Sequence, residues 1–286
     1  MASKFLRSFF VVIFSWVFVD FSAAIDDTSL FKYVSEMGNC SDDMLNLDSL
    51  RKSLVREEDT IIFSLIERAK YPVNSPLYDE RPGFSGSLFE FFVKESEAVQ
   101  AKAGRYLSVK ENAFFPDNLP PSLLPPRGSQ QVLNPRGASI NINEQILNMY
   151  YKNLLPLITS DGDDGNYAIT ADRDLDFLQA LSRRIHLGKF VAEIKFRESP
   201  QDYTRAILAQ DKDSLMKLLT FESVEEMIKK RVEKKAMVFG QDVDLNENDN
   251  VGNYKVNPSV VSRLYGEWVI PLTKFVEVEY LLCRLD

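Results

Sequence analysis

Apolar residues recur every three or four positions along most of this chain, the spacing of one face of an α-helix. The stretch Leu178–Phe196 shows it most plainly. Wound at about 100° per residue, it sets Leu178, Leu181, Ile185, Gly188 and Ala192 on one stripe. Arg183, His186, Lys189, Glu193 and Arg197 fall opposite, as on a solvated face. Arg184 and Lys195 depart from that division. They are eleven residues apart, hence about 20° out of register and about 16 Å apart along the axis. Both flank the apolar stripe, with Gly188 and Val191 between them. A cation at the edge of a core needs a partner or a ligand. The side chain missing at Gly188 is expected to leave room for an anion between the two cations. The alternative is that both long side chains snorkel past the core edge.

The same period predicts a helix over Asn46–Ala69, with Leu47, Leu50, Leu54, Ile61, Ile62 and Leu65 on its inner arc. Arg51 and Glu58 fall inside that arc, about 10 Å apart along the axis and too far for direct contact. Arg51 is therefore expected to find its partner elsewhere, which makes it a second candidate anion ligand. Further helices are predicted over Gly86–Tyr106, Asn141–Thr159, Pro200–Ala209, Lys212–Leu219 and Val224–Phe239. A Pro-rich connection, Phe115–Gly137, is too rich in Phe and Leu for a free linker and is expected to dock its apolar residues on the surface. Asp242–Asn253 reads as a solvated loop. Asn257-Pro258 is a helix-start signal. The last helix is predicted from Pro258 to about Leu285, kinked at Pro271. Val269, Ile270, Val276, Tyr280 and Leu281 define its inner arc; Thr273 and Glu277 lie within it, Lys274 and Glu279 outside. A carboxyl on an apolar face has its pKa raised and can stay protonated near neutral pH; the alternative is a Glu277 satisfied by one of the arginines. No strand-period segment of useful length appears, so the expected fold is all-α, one multi-helix domain.

Composition narrows the chemistry. With 286 residues, 45% hydrophobic, the chain can bury a sizeable core. A net charge of −8 argues against a nucleic-acid partner, though a locally cationic pocket remains compatible with an anionic small molecule. Cys40 and Cys283 are the only cysteines and His186 the only histidine, so the usual zinc ligand set is missing, and a nucleophile–histidine dyad would have to use His186. No metal site is expected, Asp161–Gly165 lacking the alternating spacing and terminal Glu of an EF-hand loop. Lys4 and Arg7 precede the apolar run Phe9–Val19, followed by Ser22-Ala23-Ala24, the grammar of a secretory signal and too short to span a membrane. The expected division is a signal-like segment, 1–24, and a helical domain, 25–286, with a secretory route and no stable membrane insertion. What remains is a helical domain presenting Arg51, Arg184, Lys195, Thr273 and Glu277 inward, suited to a dianion and to a reaction run by electrostatics and shape.

Three segments carry a resemblance: Leu54–Ala69 (LVREEDTIIFSLIERA), Leu181–Phe196 (LSRRIHLGKFVAEIKF) and Ile270–Leu282 (IPLTKFVEVEYLL). In that order they resemble the eukaryotic all-helical chorismate mutases, most nearly the plant cytosolic form. The resemblance implies rearrangement of chorismate to prephenate, the branch step toward Phe and Tyr, by a cofactor-free homodimer with one site per subunit. It implies that Arg51, Arg184 and Lys195 are the active-site cations, that Thr273 and Glu277 are the C-terminal site pair, and that Glu225 is a further site carboxylate. Phe221 stands where the fungal enzyme has Asn. In the regulated members' effector site, Gly-Ser follows the Asn-aromatic pair; here Asn166-Tyr167 is followed by Ala168-Ile169, Asp172 replaces a Thr, and Arg105 has Gly104 rather than Arg as neighbour. Crowding and a lost hydroxyl at such a site imply an enzyme insensitive to aromatic amino acids. The plant cytosolic resemblance leaves the cytosol as the alternative location. A secreted, non-catalytic helical protein that binds anions is the alternative function.

Overall fold

The computed structural model describes residues 46–80, 86–126, 131–241 and 254–286. Met1–Ala24 and the loop Asp242–Asn253 lie outside the described residues, so neither expectation about them is addressed.

Among the described residues the fold is all-α, with a single isolated bridge between Glu80 and Ser87. The helices are α1 (Leu47–Arg68), α2 (Leu88–Lys102), α3 (Pro135–Ala138), α4 (Asn143–Met149), α5 (Leu155–Ile158), α6 (Tyr167–His186), α7 (Gly188–Glu198), α8 (Pro200–Leu208), α9 (Lys212–Leu219), α10 (Glu222–Gly240), α11 (Pro258–Leu264) and α12 (Ile270–Leu282). Helix starts follow from their caps. Asn46 Oδ1 accepts the Asp48 and Ser49 N–H groups, Ser87 accepts that of Glu90, and Asn257 accepts that of Ser259 ahead of Pro258.

Helix α1 lies along α6, α12 crosses α7, and α10 packs on α11 and α1. One core gathers Ile61, Ile62, Leu65, Phe89, Leu178 and Tyr265 around α1 and α6; a second gathers Leu50, Phe190, Leu215, Val278 and Leu281 around α7 and α12. The Pro-rich connection docks in part: Phe115 and Leu133 pack against the cores, while Leu123 and Leu124 stay exposed.

Two departures from the sequence reading have physical causes. The predicted helix Leu178–Phe196 divides at Leu187 into α6 and α7. Its supposed wet face is largely buried: His186, Lys189 and Glu193 are 2%, 0% and 1% exposed. The residues on either side of the Pro-rich connection and the C-terminal end of the chain supply polar partners to that face. Lys189 Nζ donates to Asn112 Oδ1 (3.0 Å) and the Ala138 carbonyl (2.9 Å); His186 Nε2 accepts the Ile142 N–H (3.0 Å). Burial lowers the Lys189 pKa to about 8; burial and then the Lys189 charge lower that of His186 to about 3.

The second departure concerns the prolines. The last helix is interrupted by a π turn, Tyr265–Val269, placed before Pro271. The helix predicted over Asn141–Thr159 carries the same device, a π turn at Tyr150–Leu154 before Pro156. Proline lacks an N–H and its ring collides with the carbonyl four residues back; widening the preceding turn by one residue relieves both problems. Each π turn begins with a fully buried tyrosine, Tyr150 or Tyr265.

Arg68 and Asp174 form a fully buried ion pair between α1 and α6. Tyr150 and Tyr78 (2.5 Å) donate to the same carboxylate, and Arg68 also reaches the Tyr71 and Pro72 carbonyls. Removing one partner of such a pair leaves an uncompensated buried charge. Asp174→Ala is expected to lower stability by about 3–5 kcal/mol, read from the urea midpoint with the slope unchanged. A loss within about 0.5 kcal/mol, the usual range for surface sites, would show that the pair does not hold α1 on α6.

Candidate active site

The end of α6, the start of α7 and the first turns of α12 meet at Gly188. A Cβ built there would stand 2.9 Å from the Thr273 carbonyl oxygen, 3.1 Å from Thr273 Cγ2 and 3.3 Å from Glu277 Cγ. The expectation that the missing side chain leaves room for an anion is corrected here: the space admits the backbone of α12. That approach brings Arg184, Thr273, Lys195 and Glu277 together. Arg184 is 4% exposed, and its Nη1 donates to Thr273 Oγ1 at 3.4 Å. Thr273 Oγ1 in turn donates to the Val269 carbonyl at 2.6 Å. Lys195 Nζ stands 3.3 Å from Glu277 Oε2. Glu225, from the first turn of α10, accepts from Lys274 Nζ at 2.9 Å, and Lys274 also donates to Thr220 Oγ1 at 3.3 Å.

Two buried polar atoms here have no partner among the described residues, Arg184 Nε and Tyr265 Oη. No described carboxylate forms an ion pair with Arg184, although its side chain is out of water. A buried guanidinium in that state calls for an anion. Burial pushes the Glu277 carboxyl above its usual range, and Lys195, Arg184 and Lys274 pull it back. Burial likewise raises the Tyr265 phenol, with Arg184 opposing it, so Tyr265 is a neutral donor. The arrangement can seat an anion on Arg184 and offer two donors, Lys195 and a protonated Glu277, to one acceptor.

Arg51 is not brought into this cluster. It sits in the first turns of α1 with 64% of its side chain exposed, paired with Asp48 Oδ1 at 3.2 Å. The partner sought elsewhere is thus one turn away among the described residues. Glu58, the other charge on the inner arc, is fully buried and held by Arg231 (2.5 Å) and Lys235 (3.1 Å) of α10. Lys274, placed by periodicity outside the arc, reaches inward to Glu225. Sequence reasoning missed Tyr265; its signal was its place six residues before Pro271, matching Tyr150 before Pro156. It also missed that Phe221 lies over the Lys195 ammonium, 5.3 Å from ring centroid to Nζ.

A profile of the family described as chorismate mutase type II matches residues 167–278, which span α6 through most of α12. A petunia protein named chorismate mutase 2 is 60% identical over 250 residues, 86% of this chain and 95% of that one. The chain belongs to this family. A maize protein named chorismate mutase 2, cytosolic, is 53% identical over 247 residues, 85% of this chain and 98% of the other. A crystal structure described as AtCM1 with phenylalanine bound in its allosteric site superposes with a TM-score of 0.76 at 52% identity, covering 84% of this chain and 97% of that one. The recognition and the all-helical class read from the sequence are both confirmed.

The positions compared with the family's effector site have partners of their own. Arg105 is engaged by Glu111 (2.9 Å), Gln100 (3.0 Å) and Gln179 (2.6 Å). Asn166 precedes α6 and makes no side-chain cap; Ile169 is exposed; Asp172 pairs with Arg173 at 3.7 Å. Ala168 lines a groove of about 460 Å³ with Leu88, Phe91, Phe92, Val99 and Tyr167.

Arg183 and Arg184 are adjacent in sequence but differ in surroundings. Arg183 lies between Glu57 (3.3 Å) and Glu111 (3.8 Å), whereas Arg184 has no described counter-ion. Arg184→Ala is expected to lower kcat/KM by about 10²–10³, the scale of one preorganised donor, and Arg183→Ala to cost little. Equal losses would mean that the buried cation is not the one that binds substrate.

Proposed function

We propose that this protein rearranges chorismate to prephenate without a cofactor, for phenylalanine and tyrosine synthesis. The observation that carries the reading is the buried Arg184, without a described counter-ion, set beside the Lys195–Glu277 pair in a chain of this family. In the [3,3] rearrangement the ether C–O bond breaks as a C–C bond forms, and electron density builds on the ether oxygen. No nucleophile attacks and no proton moves. The enzyme's work is to hold the reactive conformer and meet the growing charge.

In this reading Arg184 grips one substrate carboxylate and Arg51 the other. The exposed Arg51–Asp48 pair is weak enough to give way to a dianion. Lys195 and protonated Glu277 donate to the ether oxygen. Thr273 Oγ1 orients Arg184, Glu225 takes the ring hydroxyl, and Tyr265 Oη supplies a further donor beside Arg184. Exposed Phe91 and Val99 line one groove with Leu88, Phe92 and Ala168, an apolar surface that supports a homodimer. The maize relative's cytosolic name supports the cytosol as the working location; the comparisons lend no support to the secretory expectation. Consumption of chorismate by residues 25–286 tests the activity itself; a folded dimer without turnover returns the chain to the anion-binding alternative.

The pH dependence has a definite sign. Only the protonated Glu277 can donate, and an ionised one repels the ether oxygen. Burial raises its pKa, so activity persists at low pH and falls as pH rises through that pKa. Glu277→Gln keeps a donor that does not titrate and is expected to retain activity with a flat alkaline limb, while Glu277→Ala loses activity throughout. The profile of kcat/KM from about pH 5 to 9 reads this; a Gln variant as inactive as Ala throughout would overturn the donor role.

We further propose that the enzyme is not regulated by aromatic amino acids, although the AtCM1 structure holds phenylalanine in an allosteric site. Arg105 is already satisfied by three side chains, and Ala168 and Ile169 offer no hydroxyl. Millimolar Phe, Tyr or Trp is expected to leave the initial rate unchanged. A dose-dependent response to any of them ends this part of the reading.

A further inference from the structure

The carboxylate of Glu193 is buried, and both its oxygens are occupied. Arg284 donates to it twice, Nε to Oε2 at 2.5 Å and Nη2 to Oε1 at 3.1 Å. Tyr280 donates its phenol to Oε2 at 2.6 Å, and Arg197 Nε reaches Oε1 at 2.5 Å. Tyr280 is held from its other side as well. Its Oη accepts the Asn134 N–H at 3.1 Å, and a Cβ built on Gly137 would stand 2.4 Å from ring atom Cδ2. Glu193 therefore joins α7, α12, the C-terminal residues and the start of α3. Apolar side chains of similar volume would serve cohesion as well as a buried carboxylate does. A charge in this place fixes direction and distance.

The clamp's position relative to the active-site pair gives it a role. Glu193 is two residues before Lys195 on α7, and Tyr280 is three residues after Glu277 on α12. A slip of one helix by a single residue would be about 1.5 Å. The Lys195–Glu277 contact is 3.3 Å, near the outer limit of a hydrogen bond, and cannot absorb such a slip. Gly188 lets the two helices approach but, among the described residues, donates no hydrogen bond to α12 that would fix direction. The directional contacts at Glu193 fix the register.

We propose that Glu193, Tyr280 and Arg284 are positioning residues that set the register of α7 against α12 and thereby hold Lys195 and Glu277 on one acceptor. This rests on the reading that Lys195 and Glu277 act at the ether oxygen. Charged and titratable groups face Glu277 from four elements: Lys195 from α7, Arg184 from α6, Lys274 from its own helix and Tyr203 from α8. Of these, Lys195 donates a hydrogen bond to it and exerts the largest downward pull. Slippage weakens that pull and leaves burial in place, so the Glu277 pKa rises.

The test compares Tyr280→Phe and Gly137→Ala with a control, Tyr150→Phe, in the full chain. Tyr280→Phe removes the phenol. Gly137→Ala keeps every hydrogen-bonding group and displaces the ring. Tyr150→Phe removes a buried phenol from the Asp174 network, away from α7 and α12. Both clamp variants are expected to lower kcat about tenfold with KM within about twofold, as misplacement of an assembled site does, and to move the alkaline limb to higher pH. The control lowers Tm and leaves the limb in place. If the clamp variants lower Tm as the control does and leave kcat and the limb at wild-type values, the clamp is only structural and the proposal is overturned. A wild type without an alkaline limb overturns the reading of Glu277 instead, and the kcat and KM of the variants then decide the clamp. Should Gly137→Ala not fold, Glu193→Gln takes its place with the same expected shifts.

Discussion

The approach of α12 to the α6–α7 junction at Gly188 is the contact on which the rest of this site depends. The Thr273 carbonyl oxygen lies only 2.9 Å from where any other residue would place its Cβ. Because the helices meet there, Thr273 reaches Arg184 on one side and Glu277 reaches Lys195 on the other. The carboxyl is buried by the same contact that supplies its cation, and both effects on its pKa come from one packing event: burial raises it and the neighbouring ammonium restrains it. A looser crossing would hydrate Glu277 and separate it from Lys195 together.

Charge is distributed unevenly around that crossing. Arg68, Glu58 and Glu193 are buried with their opposite charges in place, which fits a structural role. Arg184 is buried with an oxygen of Thr273 as its described partner and an N–H left over. Lys189 and Glu97 are also buried without an ion pair, but neutral groups hydrogen-bond to them. Arg184 keeps an N–H with no described partner, which supports the proposal that it receives an anion. An overall negative chain is no obstacle, since the field inside a small cationic pocket is set by the nearest groups.

The two prolines show how a helix can be broken to a purpose. Pro156 and Pro271 each follow a π turn, and each π turn starts with a tyrosine out of water. Widening the turn rotates the residues before it relative to those after it. Before Pro271 the Tyr265 phenol lies buried with Arg184 as a charged neighbour, and beyond it Thr273 and Glu277 meet Arg184 and Lys195.

Much of this protein was legible in its sequence. The Asn257-Pro258 start signal holds, Asn257 capping the helix it precedes, and period 3.6 placed Thr273 and Glu277 on the buried face of α12. Arg184 and Lys195 stood out because they broke a pattern, and that is a local fact. Tertiary structure decided what a residue's surroundings depend on. His186, Lys189 and Glu193 read as a wet face because nothing local announces that residues beside a distant connection and the chain's own C-terminal residues will supply them with polar partners. Gly188 read as an opening and became a contact, since an absent side chain says only that something can come close. Arg51 and Glu58 shared an arc in sequence but met different fates, Glu58 buried beneath α10 and Arg51 left in solvent at the helix start. Periodicity assigns a face to each residue; which partner covers that face is settled by segments far away in the chain.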